Sequence, residues 1–290
     1  MKNRLPSWFK QELPDENTSK VRQILSEFSI NTVCQLAQCP NINRCFKNKQ
    51  LTFMILGNAC TRNCRFCNVS NSGTVLSSLT QCEKESYSIA KIVEILDLKY
   101  AVITSVCRDD LDDGGASFFA KTMEAIHQNN RDIKVEVLIP DFHGKISSLE
   151  CILNAKPFIV AHNIETVERL YRDLRPAARY RTSLGVLNKI KELSPQTITK
   201  SSLMLGLGET EEEVAHTMGD LREGLCDILT LGQYLAPSLN HYPVKEFISP
   251  EQFQKYKEIG LGMGFKSVLS APLARSSLHA EEVFKETINV

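Results

Sequence analysis

The sequence predicts an α/β fold, a partial (β/α)6 TIM-like barrel, and two observations support this prediction. Six short apolar segments have the composition of buried strands, and each is followed by a segment with helical periodicity. Continuous apolar strands that alternate with helices are typical of a parallel sheet covered by helices. Six such units are fewer than the eight of a closed barrel, so we expect an open one.

The strand–helix units occupy residues 51–265 without a long linker between them. Strands are predicted at Leu51–Gly57, Tyr100–Val106, Val135–Ile139, Phe158–Ala161, Ser201–Leu207 and Ile228–Tyr234. Helical patterns cover Ser88–Leu98, Ala116–Gln128, Ile146–Asn154, Ile164–Tyr171, Leu184–Leu193, Glu211–Leu225 and Pro250–Ile259. We expect residues 1–50 and 266–290 to form an N-terminal and a C-terminal extension of this barrel.

Composition argues against several classes of protein. Lys and Arg number 34, as do Asp and Glu, so no overall charge favours nucleic acid or a membrane surface as partner. The first residues lack the apolar core of a signal peptide, and no apolar stretch is long enough to span a membrane. Ten cysteines in such a chain indicate metal ligands or buried thiols rather than disulfides. We therefore expect a cytoplasmic protein that binds neither nucleic acid nor membrane.

Six of the ten cysteines form two sets of three. The sets are Cys34, Cys39 and Cys45, spaced C-x4-C-x5-C, and Cys60, Cys64 and Cys67, spaced C-x3-C-x2-C. Three thiolates in one loop can hold three irons of a cubane cluster and leave the fourth iron open. Structural zinc is the alternative, but it usually takes four ligands, and neither set contains a fourth cysteine or a histidine. The second set favours iron–sulfur, whereas the first fits iron–sulfur and zinc about equally.

Polar residues gather where the predicted strands end, which is the active-site face of a β/α barrel. Asp109–Gly115 follows the second strand, Asp141 the third, His162 the fourth and Gly206–Glu209 the fifth. Glycines in such loops allow the backbone to approach a ligand closely. The acidic run in the first of these loops could equally be a solvated loop.

Longer motifs are spread over most of the chain. They are Cys39-Pro-Asn, Phe53-Met-Ile-Leu-Gly57, Cys64-Arg-Phe-Cys67, Arg108-Asp-Asp-Leu, Glu136-Val-Leu-Ile-Pro-Asp-Phe142, His162-Asn-Ile-Glu-Thr-Val167, Leu203-Met-Leu-Gly-Leu-Gly-Glu-Thr210, Gly232-Gln-Tyr-Leu235 and Arg275-Ser-Ser. Together with the two cysteine sets, they resemble the lipoyl synthase family of the radical S-adenosylmethionine superfamily. The resemblance extends from about residue 5 to about residue 280. Leu278 departs from the family pattern, which usually has tyrosine there.

The resemblance implies two [4Fe–4S] clusters and S-adenosyl-L-methionine as cofactors. One cluster would be held by Cys60, Cys64 and Cys67, and its open iron would bind S-adenosylmethionine for reductive cleavage to a 5′-deoxyadenosyl radical. An auxiliary cluster would be held by Cys34, Cys39 and Cys45, with a serine of Arg275-Ser-Ser, preferably Ser277, as fourth ligand. Contacts to S-adenosylmethionine would come from Asp113, Gly114, Gly115, Glu136, Gly206, Gly208 and Glu209.

The implied activity is sulfur insertion at C6 and C8 of a protein-bound octanoyl-lysine, with the sulfur taken from the auxiliary cluster. The implied partners are a low-potential electron donor and an octanoylated lipoyl carrier domain, from a 2-oxoacid dehydrogenase E2 or a glycine-cleavage H protein. Arg172 and Arg179, in a basic segment, are candidates for docking that domain, although such a segment is more often a solvated helix face. Two other functions stay open: a radical enzyme acting on another alkyl substrate, and a zinc-stabilised binding module without activity.

Overall fold

A computed structural model describes residues 5–72 and 79–278, and its centre is one sheet of eight strands. In sheet order and chain order the strands are β1 (Asn31–Thr32), β2 (Thr52–Ile55), β3 (Tyr100–Ser105), β4 (Lys134–Leu138), β5 (Ile159–Ala161), β6 (Ile198–Leu205), β7 (Ile228–Gln233) and β8 (Ser267–Ala271). β1 pairs with β2 in antiparallel register, and every later neighbour pair is parallel. The carboxyl ends of β2–β8 therefore lie along one edge of the sheet.

The predicted fold class is confirmed. Within the described residues no strand pairing joins β8 back to β1, so the sheet is an open barrel. All six predicted strands are present, and their ends differ from the predicted ones by at most three residues. The structure adds β8, which pairs with β7 from Ile228 opposite Ser267 to Gly232 opposite Ala271. Part of the predicted C-terminal extension thus belongs to the sheet, while residues 1–4 and 279–290 of the two extensions lie outside the described residues.

Ten α-helices are present in the described part of the chain. They are α1 (Glu16–Glu27), α2 (Val33–Leu36), α3 (Ile42–Lys47), α4 (Leu79–Ile95), α5 (Ala116–Asn129), α6 (Ile146–Asn154), α7 (Tyr171–Leu174), α8 (Tyr180–Leu193), α9 (Glu211–Glu223) and α10 (Pro250–Gly262), and Phe142–Gly144 and Glu168–Leu170 form short 3-10 helices. Local chemistry accounts for the starts of two of them: Thr210 and Glu213 form a capping box at α9, and Ser249 caps α10 with proline at its first position.

One predicted helix is wrong. Of the span Ile164–Tyr171, the first residues are extended, and only the 3-10 helix and the start of α7 follow. The cause is backbone pairing: Glu165 donates its N–H to the Ser202 carbonyl and accepts from Met204, so this segment runs beside β6. The end of β5 is thereby prolonged by residues that the apolar spacing alone would place in a helix.

Apolar packing divides the core between the two halves of the sheet. Phe53, Phe119 and Ile89 belong to a cluster between β2–β4 and α4–α6. Leu203 and Phe253 belong to a second cluster that involves β6, β7 and the later helices. Within the described residues, no helix is both long enough and apolar enough to cross a membrane. The packing leaves the carboxyl edge of the sheet to loops rich in polar side chains.

Candidate active site

The second cysteine set lies on the loop that follows β2. Main-chain hydrogen bonds hold this loop: the N–H of Cys60 donates to Ser70 at 2.9 Å, and that of Thr61 to Cys107 at 3.0 Å. The N–H of Arg65 donates to Leu174 at 2.9 Å. The loop is therefore closed on itself and bound to the ends of β3 and α7.

The three thiols of this loop influence one another. Burial, together with the charges of Cys64 and Cys60, raises the pKa of Cys67 to about 12. Burial also raises the pKa of Cys64. A hydrogen bond with Cys107 lowers the pKa of Cys60 to about 6. The loop thus brings three sulfur atoms close together.

Backbone amides point at two of these sulfurs. The N–H of Arg62 donates to Sγ of Cys60 at 3.4 Å, and the N–H of Val69 donates to Sγ of Cys67 at 3.5 Å. Hydrogen bonds of this kind stabilise thiolate ligands of iron–sulfur clusters. The residues present therefore fit such a cluster.

The next question is whether the side chains present could bind a single metal ion together. In residues 5–72 and 79–278, no three Cys, His, Asp or Glu side chains converge closely enough to hold one metal ion. A tetrahedral zinc ion needs such convergence, whereas the ligands of a cubane bind different irons and lie farther apart.

The first cysteine set lies on and between two short helices beside β2. Cys34 is in α2, Cys45 is in α3, and Cys39 in the connecting turn donates its N–H to Cys34 at 3.0 Å. Burial raises the pKa of Cys34 to about 11 and that of Cys45 to about 12, with the neighbouring thiols adding to both shifts. These three sulfurs are close neighbours as well.

The C-terminal segment returns to this first set. Nδ2 of Asn41, two residues after Cys39, donates to the Leu273 carbonyl at 2.7 Å. Arg275 is half-buried and lies close enough to Cys39 for their charges to interact. Leu278 is 7% exposed and packs in the core, so the departure from the family tyrosine provides an apolar anchor for the segment. Ser277 lies between these contacts, and its role as a ligand stays a prediction.

The same segment also touches the second set's surroundings. Oγ of Ser276 donates to Oδ1 of Asn163 at 3.1 Å, and Nδ2 of Asn163 donates to Glu165 at 3.1 Å. The Asn163 carbonyl accepts from Arg175 at 3.4 Å, and the guanidinium of Arg175 acts electrostatically on Cys64. A chain of polar contacts therefore connects the two cysteine sets.

The predicted cofactor loop after β3 has a clear structural role. Asp113 accepts from the N–H groups of Gly115 and Ser117, both at 2.8 Å, at the start of α5. Gly114 and Gly115 have φ of 63° and 93°. An added Cβ would lie 2.7 Å from Phe142 at Gly114 and 2.4 Å from Leu56 at Gly115. A Gly114→Val variant would therefore disturb packing as well as any ligand. The assignment of this loop to S-adenosylmethionine stays a prediction.

Gly206, Gly208 and Glu209 form one turn at the end of β6. The Glu209 carboxylate accepts from the N–H of Gly206 at 2.5 Å and from that of Leu207 at 2.9 Å. A Cβ on Gly206 would lie 2.1 Å from the Gln233 side chain and 2.3 Å from the Glu246 carbonyl oxygen. Close approach of neighbouring segments thus requires glycine here whatever the ligand.

Glu136 is placed differently from the other predicted contacts. It is the middle residue of β4 and fully buried, and its carboxylate accepts from Lys200 at 3.0 Å and from the Tyr100 hydroxyl at 2.7 Å. The carboxylate of Glu136 is therefore engaged in a buried ion pair, and it lies within the sheet rather than at the carboxyl edge.

Arg175 and Glu165 are site residues that the sequence analysis did not single out. Arg175 is 8% exposed and donates to the Tyr171 hydroxyl at 2.7 Å, while its Nε has no partner in the described part of the chain. Burial raises the pKa of Glu165. The strand-end motif His162-Asn-Ile-Glu could have indicated Glu165, but Arg175 was hidden within a run of arginines.

The basic segment is less uniform than its sequence suggests. Arg169 pairs with Glu213 at 2.6 Å, and Arg181 pairs with Glu168 at 3.1 Å. Since Arg175 is buried, only Arg172 and Arg179 of the five arginines are exposed and without a carboxylate within 4.0 Å in the described residues.

Comparison with known proteins decides the family. The sequence profile of the Radical SAM superfamily matches residues 54–221, more than half of the chain. Lipoyl synthase of Caldicellulosiruptor bescii is 50% identical over 277 residues, which cover 95% of this chain and 94% of that protein. The chain belongs to the lipoyl synthase family. Another member, from Aquifex aeolicus, is 50% identical over 268 residues and covers 92% of this chain and 96% of its own length.

Solved structures support the fold assigned to this lipoyl synthase family member. Methylornithine synthase superposes with a TM-score of 0.57 at 12% identity, covering 85% of this chain and 73% of its own. A maturase of the [FeFe]-hydrogenase gives a TM-score of 0.58 at 14% identity, covering 88% and 56%. Such low identity shows the fold alone. The predictions of a radical S-adenosylmethionine enzyme and of lipoyl synthesis are confirmed by the family, which implies one [4Fe–4S] cluster and S-adenosylmethionine.

Proposed function

We propose that this chain inserts two sulfur atoms, at C6 and C8, into an octanoyl group bound to a lysine of a lipoyl carrier domain. The carrier would be a 2-oxoacid dehydrogenase E2 or a glycine-cleavage H protein. The observation that carries the proposal is the polar chain between the cysteine sets, in which residues 273–276 contact Asn41 on one side and Asn163 on the other. An acyl chain held between the sets could then meet the radical and the sulfur donor in turn.

Cys60, Cys64 and Cys67 are proposed to hold the cluster at the carboxyl edge of the sheet. The chemistry supplied there, with the cluster bound and an electron from a low-potential donor, is reductive cleavage of S-adenosylmethionine to methionine and a 5′-deoxyadenosyl radical. Each insertion replaces one C–H bond by one C–S bond. Two molecules of S-adenosylmethionine should therefore be cleaved per lipoyl group formed.

Arg175 is proposed to bind the carboxylate of S-adenosylmethionine. A buried guanidinium costs several kcal/mol unless it is paired, and Nε of Arg175 has no partner among the described residues. The electrostatic influence of Arg175 on Cys64 supports this assignment, because Cys64 would help to hold the cluster that binds the amino acid part of the cofactor. Further contacts are assigned to the loops that contain Asp113, Gly114 and Gly115 and Gly206, Gly208 and Glu209, whereas the Glu136 carboxylate is occupied by Lys200 and is not assigned one.

Cys34, Cys39, Cys45 and Ser277 are proposed to hold the auxiliary cluster. Thiolates are soft ligands that suit iron–sulfur clusters, and a hydroxyl oxygen is a harder ligand that iron in such a cluster holds less firmly. The cluster with the oxygen ligand is therefore the easier one to dismantle, which suits a sulfur donor. The contact between Asn41 and Leu273 supports this ligand set because it brings the C-terminal segment to the cysteine turn.

The carrier domain is proposed to dock through Arg172 and Arg179, since both are exposed and free of carboxylate partners in the described residues. Electrostatic complementarity of this kind speeds encounter and fixes orientation more than it adds affinity.

Anaerobic reconstitution followed by turnover tests the proposal. The parent should bind about eight iron and eight sulfide, cleave S-adenosylmethionine, and convert an octanoylated lipoyl domain. Replacing Cys60, Cys64 and Cys67 by Ala should abolish cleavage. Replacing Cys34, Cys39 and Cys45 should leave cleavage measurable and stop sulfur insertion, and Cys151→Ala serves as a matched control. Zinc instead of iron would refute the assignment, and cleavage without insertion in the parent would favour another alkyl substrate.

A further inference from the structure

The loop of the second cysteine set contains a buried arginine that the proposed function leaves unexplained. Arg62 is 4% exposed. Its Nε and Nη2 donate to the two carboxylate oxygens of Asp109, both at 2.8 Å, and its Nη1 and Nη2 donate to those of Asp141, both at 2.7 Å. Bidentate pairs between a guanidinium and a carboxylate are among the strongest and most directional hydrogen bonds in proteins.

The two carboxylates come from different parts of the barrel. Asp109 follows β3, Asp141 follows β4, and the arginine itself follows β2. The set Arg62, Asp109 and Asp141, which we call the Arg62 clamp, therefore ties three consecutive strand ends together. His143 supports both acids, because its Nε2 lies 2.9 Å from Asp109 and its backbone N–H donates to Asp141 at 3.0 Å.

The clamp acts on a cysteine through one peptide group. The N–H of Arg62 donates to Sγ of Cys60 at 3.4 Å. Because the Arg62 side chain is fixed by four hydrogen bonds, its peptide group has little freedom to turn away from the sulfur. Groups that orient a metal ligand in this way control how firmly the metal is retained.

Charge alone does not explain the arrangement. One guanidinium faces two carboxylates, and Asp141 is 2% exposed, so the set has a net negative charge beside thiolates. A lysine would supply the same positive charge as a point and could not make two bidentate pairs. The feature that matters here is therefore the planar guanidinium group of Arg62, whose N–H groups can bind both carboxylates bidentately.

We infer that Arg62 is a positioning residue for the cluster on Cys60, Cys64 and Cys67, and that the Arg62 clamp sets how tightly this cluster is retained. The inference rests on the proposed function, which places a cluster there. It also accounts for three motifs at once, since Arg62 stands in the cysteine loop, Asp109 in Arg108-Asp-Asp-Leu, and Asp141 in the Pro-Asp-Phe sequence after β4.

The test uses a parent in which Cys34, Cys39 and Cys45 are Ala, so that one cluster is counted. Arg62→Lys keeps the positive charge but cannot make the bidentate pairs. Asp109→Asn weakens the pair with Arg62 at the more exposed of the two acids. Arg65→Lys, at an exposed arginine of the same loop, is the matched control. Anaerobic iron release to a chelator should be about 10- to 100-fold faster in Arg62→Lys, faster to a smaller extent in Asp109→Asn, and unchanged in Arg65→Lys.

A second measurement needs no cluster. Amide hydrogen exchange of residues 58–68 in the cluster-free protein should be faster in Arg62→Lys and Asp109→Asn than in Arg65→Lys. Equal iron release and equal exchange in all three variants would overturn the inference. If Arg62→Lys does not fold, Asp109→Asn decides. If the parent binds no iron, the proposed function fails while the exchange measurement still tests the clamp.

Discussion

Gly232, in β7, is the position where one added methyl group should have the most selective effect. A Cβ there would lie 2.1 Å from the carbonyl oxygen of Ala274 and 3.0 Å from its carbonyl carbon. Real Cβ atoms essentially never approach other atoms within 3.0 Å, so the C-terminal segment must retreat by about 1 Å in Gly232→Ala. The φ of Gly232 is not left-handed, so the cost is purely steric.

That retreat should disable one cysteine set and spare the other. Ala274 precedes Arg275 and Ser277, whereas the Cys60–Cys67 loop does not contact Gly232 in this way. A misplacement of about 1 Å can reduce a rate about 100-fold, so sulfur insertion should fall by roughly that factor. About four of eight irons should be lost, while cleavage of S-adenosylmethionine continues.

The assay combines iron counting, 5′-deoxyadenosine formation and product analysis on an octanoylated lipoyl domain, all without oxygen. Gly185→Ala is the control, because a Cβ on this α8 glycine meets nothing within 4 Å. Full iron with full sulfur insertion in Gly232→Ala would refute the reasoning. Equal losses of cleavage and insertion would also refute it, since they would mean that the whole site had been damaged.

Three further predictions concern other parts of the molecule. Lys200→Met should lower the free energy of unfolding of the cluster-free protein by about 3–5 kcal/mol, because it leaves Glu136 buried without its ion-pair partner, and adding Glu136→Gln should recover part of this loss in urea titrations. Burial lowers the pKa of His162 from 6.5 to about 4, so the unfolded chain binds a proton in that window that the folded chain does not. The free energy of unfolding should therefore fall as the pH is lowered through it, and His162→Gln should remove about 3 kcal/mol of that dependence; an unchanged pH profile would contradict the assignment. Reversing Arg172 and Arg179 to Glu should slow turnover of the whole carrier domain and remove its salt dependence while sparing an octanoyl-lysine peptide, and equal losses on both substrates would exclude docking.

Most of the barrel could be predicted from the sequence because its strands are apolar throughout. A strand covered by helices on one face and by the barrel interior on the other needs such composition, and β3 and β7 show it clearly. β8 escaped prediction because serine occupies two of its five positions, so its apolar run is short. Glu165 escaped because pairing with β6 overrides the helical spacing of its neighbours.

For the site, the sequence predicts features that depend on neighbouring residues, but not contacts between residues far apart in the chain. Cysteine spacing is local, so both sets could be read from the chain. The Arg62 clamp depends on residues 47 and 79 positions away, and no spacing within the loop indicates them. The arginines around Arg175 in the sequence suggested a solvated helix face. In the structure, Arg175 is buried between Tyr171 and the end of β5.

The hydrogen bond between Asn41 and Leu273 joins residues 232 positions apart. A ribosome makes the N-terminal cysteines early, but the segment that reaches them is among the last to be synthesised. Contacts of such separation close late in folding because they must first overcome the entropy of the intervening loop. The main-chain partners described for the Cys60–Cys67 loop, by contrast, are Ser70, Cys107 and Leu174, which are all synthesised well before residue 273. The two cysteine sets should therefore be enclosed in a fixed order, and in a nascent chain stalled before residue 273 the Cys60–Cys67 loop would have its main-chain partners while the first set still lacked the C-terminal segment.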